Sequence, residues 1–284
     1  MEIIPTLLII GFGKLGCKIG SNLKKDFNVV GIKRRAIKSQ EDLDIITVDI
    51  FNSNLDTILA KINPKYVIYS VAAYDQSPAS YKKAYLIGLK KSIKAIKKNC
   101  TNFKHFFFIS STRVYGKNST KILTEEMLPE PLDFGGEALY EGEMFLTKSD
   151  ISSTILRLSG IYGNERTRLI EMAKDESSWP LRNRWTNRIH DEDAVNFISL
   201  LLEQLEKNIT VKPLYLLTDS SPALLFDVLN YIRSLLSLQA IKINSPKPSD
   251  GKKLQSILIP KTSFIYSYSN FKIGYKSIIA KINK

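Results

Sequence analysis

The chain has 284 residues, 44% of them hydrophobic and 24% charged, the make-up of a globular protein long enough for one or two domains around a sizeable core. Its 41 Lys and Arg outnumber 28 Asp and Glu for a formal net charge of +13. The lysines recur along helical faces, as at Lys90, Lys91, Lys94, Lys97 and Lys98, instead of forming one dense patch, so nucleic acid is not the expected partner and small anionic ligands are.

The apolar stretch from Ile3 to Ile10 is interrupted by Pro5, is too short for a membrane span and lacks a basic leader, so a soluble, cytoplasmic protein without membrane contact is expected. Within it Leu7-Leu8-Ile9-Ile10 reads as a strand that runs into Gly11-Phe12-Gly13-Lys14-Leu15-Gly16, a helix, and a second strand at Val29-Val30. That is the order of a dinucleotide-binding βαβ unit. Gly11 would make the tight turn, Gly13 would let the backbone approach a pyrophosphate, and Gly16 would let the helix pack on the strand. With Phe12, Lys14 and Leu15 they form the predicted cofactor cradle, at a helix end whose N–H groups favour phosphate.

After the second strand comes Gly31-Ile32-Lys33-Arg34-Arg35, with no carboxylate until Glu41. An NAD site places an acid there for the ribose 2′-OH, whereas a 2′-phosphate calls for arginine. NADP(H) is therefore expected over NAD(H), with Arg34 the principal ligand and Arg35 beside it. The other reading of these residues is a solvated basic turn.

Cys17 and Cys100 are the only cysteines and fit no metal-ligand or redox spacing, so free thiols and no metal site are expected. Further strands are predicted at Ile45 to Val48, Tyr66 to Ser70, Phe106 to Ser110, Ser153 to Arg157 and Leu214 to Leu217. Helices are predicted over 78–98, 137–149 and 191–206. The alternation predicts an α/β fold, a doubly wound parallel sheet of Rossmann type. Residues 163–188 break the pattern with mixed charge, Trp179-Pro180 and Trp185, and beyond Thr218 come a helix opened by Ser221-Pro222, a polar stretch from Asn244 to Lys253 and a short tail open to a strand. The expected division is a dinucleotide-binding domain of 1–162 and 186–220 and a small substrate-side lobe of 163–185 and 221–284.

The pieces Gly11 to Gly16, Asp49-Ile50, Ser70-Val71-Ala72-Ala73, Ser110-Ser111-Thr112-Arg113-Val114-Tyr115-Gly116, Arg157-Leu158-Ser159-Gly160-Ile161-Tyr162-Gly163 and Arg188-Ile189-His190-Asp191-Glu192-Asp193 occur in order. In this the chain resembles the extended short-chain dehydrogenases/reductases, the superfamily of nucleotide-sugar epimerases and dehydratases. The resemblance implies that Asp49 holds the adenine, that Ile50, Ala72 and Ala73 line the cofactor, and that Ser111 orients a substrate hydroxyl, with Thr112 beside it. Tyr115 would flank the nicotinamide or the substrate.

Redox members pair a tyrosine with a lysine four residues later, because a phenol of pKa about 10 needs a nearby cation to lose its proton near neutral pH. Here Tyr140 faces Met144, and aligning on Glu143 instead puts Gly135 and Leu139 in the two positions. Neither register yields the pair, which makes the atypical branch of the superfamily the nearest fit. Ser111, Tyr140 as acid/base and Glu143 as an acid raised by burial remain the catalytic candidates. By the same resemblance, one or two of Arg166, Arg168, Arg182, Arg184 and Arg188 would hold a substrate diphosphate. His190 reads as a structural hydrogen-bonding group. Two functions stay open: hydride transfer on a nucleotide sugar or similar anionic hydroxyl substrate, and a non-catalytic dinucleotide-binding sensor or scaffold. A homodimer is left open as well.

Overall fold

The computed structural model describes residues 4–35, 43–51, 54–116, 118–242 and 250–282. Glu41 and the polar stretch as far as residue 249 lie outside the described residues. All seven apolar runs form strands. β1 (Thr6–Ile10), β2 (Asn28–Lys33), β3 (Asp44–Thr47), β4 (Tyr66–Tyr69) and β5 (His105–Ser111) are joined by Ser153–Leu158 and Leu214–Leu217 in one sheet. Its order is Leu214–Leu217, Ser153–Leu158, β5, β4, β1, β2, β3. β1 pairs in parallel with β2 on one side and β4 on the other, Leu7 lying opposite both Val29 and Tyr66. Leu7 to Ile10 and all of β4 are buried, the continuous apolar pattern of parallel strands covered on both faces. This is the expected doubly wound sheet.

The helices follow local rules with four departures. The long helix expected over 78–98 is divided into α3 (Pro78–Lys82), a π-helical turn at Lys83–Ile87 and α4 (Gly88–Asn99). Ser77 caps its start by accepting from Ser80 N, and Pro78 stands in the first turn. At the π turn the buried Tyr69 hydroxyl donates to the Ala84 carbonyl at 2.6 Å. α5 (Phe134–Thr147) begins three residues before its predicted start, because Asp133 caps it by accepting from Gly135 N and Gly136 N at 3.0 and 2.8 Å. Ser221-Pro222 does not open a helix: Ala223–Leu224 pairs as a short strand with Trp185–Thr186, and the helix starts at Leu225. The tail, expected to be short and open to a strand, carries a helix at Phe271–Ile282.

The chain divides into two compact units, one of 1–115, 129–157 and 198–214, the other of 116–128, 158–197 and 215–284. The second contains the whole of the expected lobe and more. Gly160–Tyr162 pairs with Arg188–His190 in a separate two-stranded ladder, outside the central sheet. Tyr162, Trp179, Phe226, Leu229, Phe271 and Tyr275 share its core. The buried Glu125 carboxylate ties three of its segments, accepting from Leu216 N, Ser256 Oγ and Ile257 N at 3.2, 2.5 and 2.9 Å. Both cysteines are free thiols. Among the described residues no helix is long and apolar enough to cross a membrane.

Candidate active site

The glycine cradle lies at the end of β1. Gly11 has φ of +97°, and a Cβ there would lie 2.5 Å from the backbone of Ser70 and Val71, so only glycine fits where the ends of β1 and β4 converge. Gly11 N and Phe12 N both donate to Ile32 O, at 3.0 and 2.9 Å, which ties the turn to β2. A Cβ on Gly16 would meet Gly11 O at 2.8 Å and the Ile9 side chain at 3.2 Å, so this glycine serves close helix–strand packing. A Cβ on Gly13 would meet nothing within 4 Å. The backbone is bare at that point, as approach of a pyrophosphate requires. α1 (Lys14–Leu23) has no acidic residue in its first turn and no side-chain cap, so nothing in that turn neutralises its positive end. The ring of Phe12 is fully buried, within 3.0 Å of where Cβ atoms on Gly20 and Gly31 would stand; only its backbone can face a ligand.

From the cradle a cavity of about 370 Å³ extends along the ends of β1, β2, β3 and β4. Of the predicted cofactor residues, Gly11, Phe12, Gly13, Arg34, Arg35, Ile50 and Ala72 line it, whereas Lys14, Leu15, Gly16, Asp49 and Ala73 do not. Leu15 and Gly16 are buried in packing. Asp49 directs Oδ1 at its own loop, accepting from Phe51 N at 3.0 Å. Phe51, Tyr74 and Lys83 also line the cavity and were not singled out from the sequence. Among the described residues no Asp or Glu lines it.

Ser111 ends β5, and its Oγ accepts from Arg113 N at 3.2 Å, shaping the tight turn Thr112–Val114. Two residues on, the Arg113 guanidinium donates from Nε to Asp133 Oδ1 at 2.8 Å and from Nη1 to the Tyr81 hydroxyl at 2.7 Å. It lies 4.8 Å from the Tyr81 ring centroid and 5.4 Å from that of Phe134. These contacts, with the backbone N–H groups of Gly135 and Gly136, hold the Asp133 carboxyl below its ordinary value against the opposing effect of burial. A Cβ on Gly135 would lie 2.6 Å from Arg113 Nη1. In the register that aligns Glu143, the position of the tyrosine is thus filled by a guanidinium, and that of the lysine by the buried Leu139.

Glu143 is 2% exposed and forms a bidentate pair with Arg157, Nη2 to Oε2 at 2.6 Å and Nε to Oε1 at 3.1 Å. Ser110 Oγ donates to Oε1 at 2.5 Å. Arg157 also donates from Nη1 to the buried Tyr115 hydroxyl at 2.8 Å, so Tyr115 directs its OH at the interior. Burial would lower the Arg157 pKa, but hydrogen bonds and charge from Glu143 raise it on balance. Tyr140 is half-buried on α5.

In the second unit a cavity of about 690 Å³ is lined by Arg166, Arg168, Arg184 and Arg188 with Tyr162 and Tyr275. Arg182 is not among the lining residues. Arg188, 3% exposed, donates from Nη2 to Thr186 Oγ1 at 2.8 Å, while Nε and Nη1 make no hydrogen bond. His190 Nδ1 accepts from Glu192 N at 3.2 Å, and the ring stacks on Tyr268 with centroids 3.7 Å apart. Nδ1 is therefore an acceptor and the imidazole has the structural setting expected of it.

A doubly wound parallel sheet that turns at a glycine cradle from its first strand into its first helix defines a Rossmann-type chain. Residues 6–178 match the RmlD substrate binding domain, and the chain belongs to that family, within the short-chain dehydrogenase/reductase-like superfamily. A solved structure from Methylobacillus flagellatus, assigned as an NAD-dependent epimerase/dehydratase, is 30% identical with a TM-score of 0.89, covering 99% of this chain and 100% of that one. The UDP-glucose 4-epimerase of Thermotoga maritima, solved with UDP-glucose, is 16% identical with a TM-score of 0.80 and 98% of each chain covered. The UDP-glucuronic acid 4-epimerase of Bacillus cereus, solved with NAD, is 19% identical with a TM-score of 0.75, covering 98% of this chain and 96% of that one. The last two share the fold. No curated protein matches the sequence.

Proposed function

We propose that the chain binds NADP(H) at the glycine cradle and uses it for hydride transfer on a nucleotide sugar or similar anionic, hydroxyl-bearing substrate. The observation that carries this reading is the bare backbone at Gly13 opening on a cavity with Lys33, Arg34, Arg35 and Lys83, and with no carboxylate among the described residues of its walls. The UDP-glucose and NAD in the two epimerase structures support the substrate and cofactor classes. When bound, the nicotinamide supplies a hydride donor or acceptor. The chain's part is to hold and orient. Gly11, Phe12 and Gly13 offer backbone to the pyrophosphate, Arg34 and Arg35 take the 2′-phosphate, and Ile50 and Ala72 wall the cavity. Asp49 and Ala73 support the adenine side from behind.

Ser111 orients the substrate hydroxyl beside Arg113. We assign Glu143 to holding Arg157 and Tyr115 in place instead of giving up a proton, because its carboxylate is committed to a buried ion pair. Tyr140 stays a candidate proton-transfer group of small effect. Tyr140→Phe should leave turnover of nucleotide sugars within about tenfold, below one proton-transfer catalyst's usual contribution. Arg166, Arg168, Arg184 and Arg188 are the proposed holders of the substrate diphosphate.

The second reading, a non-catalytic sensor or scaffold, is favoured by the Arg113 guanidinium in the tyrosine's place. Fluorescence titration tests the part common to both. NADPH should bind more tightly than NADH, and Arg34→Ala should cost roughly 1.5 to 3 kcal/mol for NADPH, the worth of a hydrogen bond to a charged group, with NADH unchanged. Equal affinity for the two cofactors would overturn the NADP(H) assignment. Single-turnover cofactor oxidation or reduction with a panel of nucleotide sugars then separates enzyme from sensor.

A further inference from the structure

The cavity beyond the glycine cradle has a second cationic post, which the run Lys33-Arg34-Arg35 does not account for. Arg34 and Arg35 stand over the Tyr74 ring, 5.5 and 5.6 Å from its centroid. Lys83, from another part of the chain, stands over Phe51 with Nζ 4.5 Å from the centroid. All five residues line the same cavity. Among the described residues neither the Lys83 ammonium nor the two guanidinium groups make a hydrogen bond or an ion pair, and the nearby carboxylate of Asp49 accepts from Phe51 N.

Lys83 owes its place to the π-helical turn. It is the first residue of Lys83–Ile87, where the wider turn shifts side chains away from the positions a continuous helix over 78–98 would give them. The post is braced at both feet. Tyr69 OH donates to Ala84 O at 2.6 Å beside Lys83, and Lys91 Nζ donates to Phe51 O at 2.9 Å beneath the ring. An ammonium lying on an aromatic face keeps N–H donors to give and loses less freedom on binding than a lysine waving in solvent.

We propose that Lys83 is a second ligand for the 2′-phosphate of an adenine dinucleotide, acting from a different segment of the cavity wall than Arg34, so that selectivity for the phosphate is shared between two segments. This rests on the reading of the cavity as an NADP(H) site. A phosphate with three terminal oxygens can take a guanidinium on one side and an ammonium on the other, whereas a ribose 2′-OH offers neither of them a charge.

The test is calorimetric titration of the full chain with adenosine 2′,5′-bisphosphate and with 5′-AMP. Lys83→Met, which keeps an apolar stem against Phe51, should weaken the bisphosphate about tenfold while moving 5′-AMP less than about twofold, as expected for one charge-assisted bond. Lys83→Arg should keep the preference. Because both groups would hold one phosphate, the double variant should lose more than either single variant, with a measurable coupling between the two losses. If Lys83→Met leaves the bisphosphate unchanged while Arg34→Ala weakens it, Lys83 is no ligand and the NADP(H) reading stands without it. If both nucleotides weaken equally, Lys83 shapes the wall instead of selecting, and the proposal is overturned. A wild-type protein that binds the two nucleotides equally removes the NADP(H) reading itself.

Discussion

The two compact units treat a buried guanidinium in opposite ways. In the first, Arg157 and Glu143 bind each other on two edges, and Ser110 and Tyr115 complete the network. In the second, among the described residues, Arg188 Nε and Nη1, Asp219 Oδ2, Tyr275 OH and Ser159 Oγ are buried without a well-formed hydrogen bond, although the Arg188 guanidinium and the Tyr275 hydroxyl interact. Burial pulls the Arg188 pKa down and pushes the Asp219 carboxyl up to about 7, against the Ser221 N–H and the Arg188 charge. A satisfied network holds a unique packing, whereas an unsatisfied one costs stability and needs a reason of another kind. The Arg157–Glu143 pair serves the fold, as Glu125 does in the second unit, whereas Arg188 lines the arginine-rich cavity with much of its hydrogen-bonding capacity unmet.

The most forceful way to break this comparison is Glu143→Ala. It leaves the Arg157 guanidinium buried and uncompensated, which should cost about 3 to 5 kcal/mol. Urea unfolding measures it, and a loss under about 1 kcal/mol, the usual worth of an exposed pair, would show that the network is not structural. A pH effect of somewhat smaller size comes from His105. Both ring nitrogens are bonded, Nδ1 to Ser152 Oγ at 2.7 Å and Nε2 to Thr154 Oγ1 at 2.9 Å. The Thr154 hydroxyl donates to Lys212 O, so it accepts from Nε2–H and the ring is a neutral tautomer. Burial lowers its pKa from 6.5 to about 4. The unfolded chain therefore takes up the proton first, and stability is lost as pH falls from about 6.5 toward 4. The loss amounts to about 3 kcal/mol. Urea midpoints of His105→Gln across that range should show a flatter slope than the parent; an unchanged slope would assign the acid sensitivity to other groups.

The sheet and the cradle were legible because both are local. Leu7 to Ile10 is an apolar run whatever it pairs with, and Gly11, Gly13 and Gly16 carry their roles in their spacing. Arg34 follows its strand directly. Tyr74, Phe51 and Lys83 were not legible, since they reach the cavity from three separate segments and no period links them. The relation of Arg113 to Gly135 joins residues 22 apart by a contact that only the folded chain makes. Glu143 was visible as a helix glutamate, but its partner Arg157 comes from a strand beyond the helix. Ser221-Pro222 has the look of a helix start, yet pairing of Ala223–Leu224 with Trp185–Thr186 takes precedence there. The helix at Phe271–Ile282 has a glycine at 274, and its reason is tertiary: a Cβ there would strike the Tyr162 ring.

The smallest expected effect on stability is the most telling for the second unit. Arg188→Met replaces a buried guanidinium by an unbranched apolar side chain of similar reach. If Arg188 were a structural ion-pair partner, its loss would cost as much as that of Glu143. Among the described residues its well-formed hydrogen bond is to Thr186 Oγ1, at 2.8 Å, beside a weaker interaction with the Tyr275 hydroxyl, and it gives none to Asp219. Substituting an apolar residue for a poorly paired buried charge is often neutral or stabilising, so the change should lie within about 1 kcal/mol of zero or raise stability. The measurement belongs near pH 5.5, where the Asp219 carboxyl, pushed up to about 7, is mostly protonated and is not stranded by removal of the cation. Calorimetric titration with UDP completes the test: Arg188→Met should weaken UDP while NADPH affinity holds. A loss of 3 kcal/mol or more in stability would place Arg188 among the residues that hold the fold, as Arg157 is, and would erase the contrast between the two units.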